Sequence, residues 1–175
     1  MGEEVRVFSF AAVRMETAGG TDFLLARTAE ALRGRGVQLA GVVQTNTERG
    51  DRLRCDMHLT VLPSGKKIRI SQDRGEGARG CHLDHGALED AVAHVEHAIL
   101  SCTPDLVIIN KFGRREAQGG GFVPVICAAL EAELPVLVGV NNLNRTQFDA
   151  FACDLARALP PEDDALLEWC FRATG

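Results

Sequence analysis

Three short segments of this chain are apolar almost without interruption: Val37 to Val43, Asp105 to Asn110 (Leu106-Val-Ile-Ile109 at its centre) and Pro135 to Val140. A strand without polar alternation is one buried on both faces, and such strands belong to parallel sheets covered by helices on each side. The stretches between them carry the helical period. Thr21 to Arg33 places Leu24, Leu25, Thr28, Ala31 and Leu32 on one face, and Gly34 and Gly36 end it. Asp84 is the expected N-cap of a helix to about Cys102, with Leu88, Val92, Val95 and Ile99 turned inward. Further helices are expected over Phe122 to Glu133 and from Thr146 to about Leu159. With Val5 to Phe10 as an opening strand, the pattern predicts a three-layer α/β fold with right-handed crossovers.

One region breaks the alternation of buried strand and helix. Arg54 to Leu62 and Lys66 to Ser71 alternate polar with apolar residues around Pro63-Ser64-Gly65, which predicts an antiparallel hairpin with one wet face. It reads as an insertion, about residues 53–71, between the second strand and the second helix. The three-glycine stretch Gln72 to Gly80 is expected to be a loop. Residues 1–175 read as one domain, closed by a tail, 160–175, that follows Pro160-Pro161. Leu166, Leu167, Trp169, Cys170 and Phe171 make that tail amphipathic, so it is expected to dock on the body.

Composition removes several classes of function. A net charge of -5 argues against a general nucleic-acid binder. No apolar run approaches the roughly 18 residues that a membrane span requires. The acidic start Met1-Gly2-Glu3-Glu4 has no signal-peptide character, so a cytoplasmic protein with reduced cysteines is expected. Cys55-x-x-His58 and Cys81-His82-x-x-His85 make a poor zinc set, because Cys55 and His58 fall on opposite faces of an alternating strand. No G-x-S-x-G nucleophile motif is present.

In doubly covered parallel sheets, ligands bind at the carboxyl ends of the strands. The first loop, Ala11 to Gly20, lies between strand and helix, where a phosphate-binding loop belongs. The G-x-x-x-x-G-K-[ST] template laid on Arg14 to Thr21 matches at Gly19 and Thr21. Arg14 replaces the first glycine and Gly20 replaces the lysine. In this respect Phe8 to Val43 resembles the opening of the thermophilic nucleoside-triphosphatase family, whose members also place a hairpin after the second strand. Ile70-Ser-Gln-Asp73, Gly80-Cys-His-Leu-Asp84 and Asn110-Lys-Phe-Gly113 are similar to recurring words of an uncharacterised bacterial family of degenerate P-loop proteins found near molybdate-uptake genes. The resemblance spans about residues 5 to 157. It implies a P-loop-NTPase-like parallel sheet with the antiparallel hairpin inserted, and a pocket for nucleotide or oxyanion.

The departures from that pattern bear on mechanism. A P-loop triphosphatase needs the lysine on the β- and γ-phosphates and an acid after the later strand for Mg²⁺. Here those positions hold Gly20 and Asn110, and Lys111 stands where a water-activating acid is expected. Hydrolysis by the usual route is therefore not expected. Anion binding is. The amides of Gly19, Gly20 and Thr21 open a helix, and Lys111 and Arg14 would bring charge. Ser71 and Gln72, at the end of the hairpin, are expected to reach over the same pocket. The primary reading is a non-hydrolytic binder of a small oxyanion, with no other cofactor, no nucleic acid and no membrane partner; the resemblance points to molybdate or tungstate. Two alternatives stand beside it. One is a divergent nucleotide-binding enzyme, a triphosphatase or kinase, using Lys111. The other is an interaction protein with a vestigial loop, whose apolar tail or Phe122–Leu130 face would serve a homo-oligomer.

Overall fold

The computed structural model describes residues 8–48, 55–72 and 82–175. Seven strands form one sheet in the order β4-β3-β2-β7-β8-β1-β9. Its parallel part consists of β2 (Leu39–Glu48), β7 (Leu106–Phe112), β8 (Val136–Val140), β1 (Phe10–Val13) and β9 (Arg157–Leu159). The expected three-layer α/β fold is present, with the antiparallel strands β3 (Cys55–Leu62) and β4 (Lys67–Arg69) on one edge. Helices cover both faces. On one side α2 (His85–Cys102), α4 (Val123–Glu131) and α5 (Arg145–Ala152) bury Val92, Val95, Ile126 and Phe148 against Val107, Ile109 and Val138. On the other, α1 (Gly20–Gly34) and α6 (Asp163–Thr174) bury Leu25, Leu32, Leu166 and Cys170 against Ala11, Ile108 and Leu137.

Close approach between neighbouring strands explains one glycine of the β2 pattern. Gly41 has φ 115°, and a Cβ there would lie 1.9 Å from the Ile108 carbonyl oxygen. Only glycine lets β2 and β7 meet at this point.

Several expectations need correction. The opening strand runs from Phe10 to Val13, not Val5 to Phe10; Val5 to Val7 lie outside the described residues. Ala11 and Ala12 have low strand propensity, but both are buried between helical layers, and tertiary context overrides propensity. The phosphate-type loop therefore begins at Arg14, not Ala11. The expected antiparallel hairpin is present and is joined to the main sheet. β3 pairs with β2 along Gly41 to Glu48 as well as with β4, so the meander extends the main sheet. The second strand outlasts its apolar run because β3 supplies its later hydrogen-bond partners. Ser71–Gln72 (β5) leaves the sheet and pairs with His82–Leu83 (β6).

The helix expected from Thr146 to Leu159 starts at Arg145 and ends at Ala152. Cys153 (φ 46°) and Asp154 (φ 63°) are left-handed, and Arg157–Leu159 then forms the edge strand beside β1. Leu155, Ala156 and Leu159 continue the helical period in sequence only; Leu155 is half exposed. In the tail, Asp163–Thr174 forms α6, which buries Leu166 and Cys170. Asp84 caps α2 as expected, its side chain accepting a hydrogen bond from the Ala87 amide at 3.0 Å. Among the described residues Cys102, Cys127, Cys153 and Cys170 are free, and no helix is long and apolar enough to cross a membrane. Cys81 and Asp73 to Gly80 lie outside the described residues.

Candidate functional site

The loop Arg14–Gly19 joins β1 to α1 at the carboxyl edge of the sheet. Neighbouring strands send their helices to opposite faces here, β1 to α1 and β8 to α5, and a crevice opens at such a point. Three hydrogen bonds fix the loop. The Met15 amide donates to Thr21 Oγ1 at 3.0 Å, the Gly20 amide to the Thr17 carbonyl at 3.0 Å, and Asn142 Nδ2 to the Met15 carbonyl at 3.0 Å. Gly19 adopts φ 73° as the residue before α1, with no side-chain cap of its own. These contacts leave a cleft of about 130 Å³ lined by Met15 to Gly19, Thr21, Asp22, Asn110, Lys111 and Gly139 to Asn142.

Two features set the shape of this cleft. At Gly139 a Cβ would lie 2.1 Å from the Asn110 carbonyl oxygen and 3.0 Å from Thr21 Cγ2, so only glycine lets β8, β7 and α1 converge. At Gly20 a Cβ would lie 3.1 Å from Met15 Sδ. A side chain at position 20 would require Met15 to give by a few tenths of an ångström.

The floor of the cleft is a buried polar network. Asp22, in the first turn of α1, is 5% exposed. Its Oδ1 accepts from Asn110 Nδ2 at 2.8 Å, and its Oδ2 from Gln44 Nε2 at 3.4 Å and Asn46 Nδ2 at 3.3 Å. Asn110 Oδ1 accepts from the Gln44 amide at 2.8 Å, and Gln44 Nε2 donates to Asn46 Oδ1 at 2.9 Å. The Lys111 ammonium lies 3.6 Å from Asp22 Oδ1, while its side chain stays 36% exposed. It therefore bridges the buried carboxylate and the open cleft, and its three donors allow both.

The structure brings Gly19, Thr21, Asn110 and Lys111 to one cleft. Gly20 sits behind the wall, with its amide engaged by Thr17. Arg14 is half-buried and does not line the cleft. Ser71 faces β3 instead: its Oγ accepts from the Met57 amide at 3.2 Å and from Arg69 Nε at 3.3 Å. Neither it nor Gln72 lines the cleft. Sequence reasoning missed Asp22, Gln44 and Asn46. A signal for Asp22 was available, because the spacing 22, 25, 29, 32 puts it at the head of the buried stripe of α1 with Leu25, Ala29 and Leu32.

A second, larger cavity of about 590 Å³ adjoins the cleft on the α2 side and shares Asn110, Lys111 and Asn141 with it. Beside it the loop after β7 closes on Glu116, in the short helix α3 (Arg114–Ala117). That buried carboxylate accepts from the Gly113 amide at 3.0 Å and the Phe122 amide at 3.1 Å.

Comparison with known proteins places these features in a family. The fold matches the solution structure of a human cancer-related nucleoside triphosphatase, with a TM-score of 0.61 and 17% identity over 91% of this chain and 94% of that one. The chain is also 37% identical over 159 residues to the molybdenum import ATP-binding protein ModC 2 of Bradyrhizobium diazoefficiens. That match takes in 91% of this chain but only 18% of the length of that relative. The family model described as "Protein of unknown function (DUF2478)" matches residues 10–169, and the chain belongs to that family.

Proposed function

We propose that this protein binds a small tetrahedral oxyanion in the cleft between the β1–α1 loop and the end of β7, without hydrolysing nucleotide. The carrying observation is Lys111, whose half-exposed ammonium stands at the cleft opposite the start of α1. The first-turn amides of a helix and the positive end of its dipole favour an anion at that place, and the ammonium, shared with Asp22, adds further donors. The size is in keeping. About 130 Å³ corresponds to roughly four water volumes, enough for a four-oxygen anion.

The same geometry speaks against phosphoryl transfer. Mg²⁺ chemistry calls for an anionic oxygen at the end of β7, and Asn110 offers a neutral amide already engaged by Gln44 and Asp22. Gly20 in place of the lysine, with Arg14 outside the lining, leaves the cleft without a cation from the loop, as in a degenerate Walker A. Among oxyanions, molybdate and tungstate are the first candidates. The name of the 37% identical relative, a molybdenum import ATP-binding protein, favours them. A cytoplasmic role in molybdenum homeostasis follows from the same reading.

Isothermal titration with molybdate, tungstate, sulfate, phosphate and ATP tests the proposal. Saturable binding of an oxyanion that Lys111→Ala weakens at least tenfold is the expected result. Silence with every anion would end it. ATP or GTP turnover with Mg²⁺, lost in Lys111→Ala, would replace it with the enzymatic reading.

A further inference from the structure

The loop cleft and the larger cavity beside it share Lys111. Asn110, Lys111 and Asn141 line both, so the two hollows meet at the end of β7 and the end of β8. The larger one, about 590 Å³, lies within the range of small-molecule sites, and the loop cleft falls below it. The wall of the larger hollow is accessible at Met57, His82 and Leu83, which are half-buried, and at His85, which is exposed.

Donors at this junction outnumber the acceptors that the protein offers them. Asn141 Oδ1 accepts from the Leu143 amide at 2.9 Å, while its Nδ2 has no acceptor among the described residues. The Lys111 ammonium has three protons and one contact, Asp22 at 3.6 Å. Charge is divided unevenly between the two hollows. The cleft lining sets Asp22 and Glu16 against Lys111 alone, so a free dianion gains little there from attraction. The larger hollow adds Arg114, exposed at its rim and without an ion pair among the described residues. Glu116 is the carboxylate of that lining, and both its oxygens are taken, by the Gly113 and Phe122 amides at 3.0 and 3.1 Å. An anion on Lys111 is therefore favoured where it also looks into the larger hollow.

We infer that the two hollows form one site for an organic phosphate monoester, its phosphoryl group on Lys111 and Asn141 in the cleft and its body against Met57 and Leu83 in the larger hollow. This rests on the anion site proposed for the cleft and names the class of ligand that fills it. A monoester keeps three terminal oxygens for the donors, and its bridging oxygen leads out toward the larger hollow. Apolar area buried by the body supplies what the balanced Lys111–Asp22 pair withholds from a bare anion.

Isothermal titration of the full chain with 1-naphthyl phosphate, inorganic phosphate and 1-naphthol tests this, at about pH 8, where both phosphates are largely dianions. Expected is binding of the ester at least tenfold tighter than inorganic phosphate and 1-naphthol, with molybdate displacing the ester competitively. Met57→Thr should remove most of the ester's advantage over phosphate and leave the molybdate isotherm unchanged. Should that variant fail to fold, the wild-type isotherms alone decide. Equal affinity for ester and inorganic phosphate would overturn the inference and leave the free oxyanion as the ligand. Ester binding that molybdate does not displace, or that 1-naphthol matches, would overturn it by placing the body away from Lys111. Silence with every anion would end both readings.

Discussion

Replacing Asp22 by Asn separates stability from binding and works in opposite directions on the two. Asp22 is a nearly buried acceptor of three side-chain amide donors, with Lys111 3.6 Å away. An asparagine keeps one acceptor oxygen but turns an NH₂ toward groups that also donate. At least one buried donor is then unmatched, at a cost of about 1–3 kcal/mol, and the loss of a charged acceptor puts the value in the upper half of that range. Anion affinity should move the other way. An oxyanion in contact with Lys111 sits about 6 Å from the Asp22 carboxylate, taking the observed 3.6 Å plus a charge-assisted hydrogen bond. At an effective dielectric near 20 that repulsion is about 3 kcal/mol for each unit of anion charge, about 6 kcal/mol for the molybdate dianion, and the water of the open cleft reduces it to roughly a quarter. Asp22→Asn should therefore lose about 2 kcal/mol in urea denaturation while binding molybdate about tenfold more tightly. Unchanged stability would refute the buried network, and weakened molybdate binding would refute the placement of the anion beside Lys111.

Other substitutions test the frame around the cleft. Gly139→Ala should destabilise by about 1–3 kcal/mol on thermal or urea unfolding, because its methyl meets the Asn110 carbonyl and Thr21 together. Phe148→Ala, which removes the ring that Phe10 and Phe112 pack against edge-on at 6.0 and 5.2 Å, should cost about 3–5 kcal/mol by the same measurement. Burial pushes the Cys170 thiol up to about 12 from 9.0. Between those values the unfolded chain gives up its proton first, so this residue's contribution is complete below about pH 9 and is lost as the pH rises toward 12. Stability measured from pH 8 to 11 should therefore fall less steeply in Cys170→Ala than in the natural chain, and an identical slope would remove Cys170 as a cause.

The layered architecture was legible because continuous apolar strands and helical stripes are direct records of burial. Val37–Val43, Leu106–Ile109 and Val136–Val140 needed no context to be read as central strands. Where context decides, the reading slipped. Ala11-Ala12 carries no strand signature, yet it lies in a strand because helices press on both of its faces. Arg157-Ala-Leu159 continued a helical period, but two left-handed residues before it had already ended the helix. Cys153 and Asp154 hold conformations for which glycine is the usual marker, so the break left no mark in the composition.

The site was half legible, and the missing half is the part that sets its charge. Template reasoning follows backbone geometry, so it found Gly19, Thr21 and the pair Asn110-Lys111 at the end of β7. It could not find what neutralises Lys111, because that depends on which residues a strand brings alongside. Gln44 and Asn46 come after the apolar run of β2, where periodicity falls silent, and they enter the site only because β3 prolongs that strand. Once they are in place, Asp22 has a full set of amide donors beside the cleft. The lysine is then not a bare cation awaiting any anion. It is one member of a balanced pair, and a ligand must compete with a fixed carboxylate for it. Such a pocket selects by the fit of oxygens to donors more than by charge, since simple attraction is largely cancelled at its floor. Discrimination among molybdate, sulfate and phosphate should accordingly change when Asp22 is neutralised, with all three drawn closer together in affinity as net attraction replaces fit. Titrations of the three anions against Asp22→Asn and the natural chain measure this, and an undiminished spread would place the selectivity elsewhere.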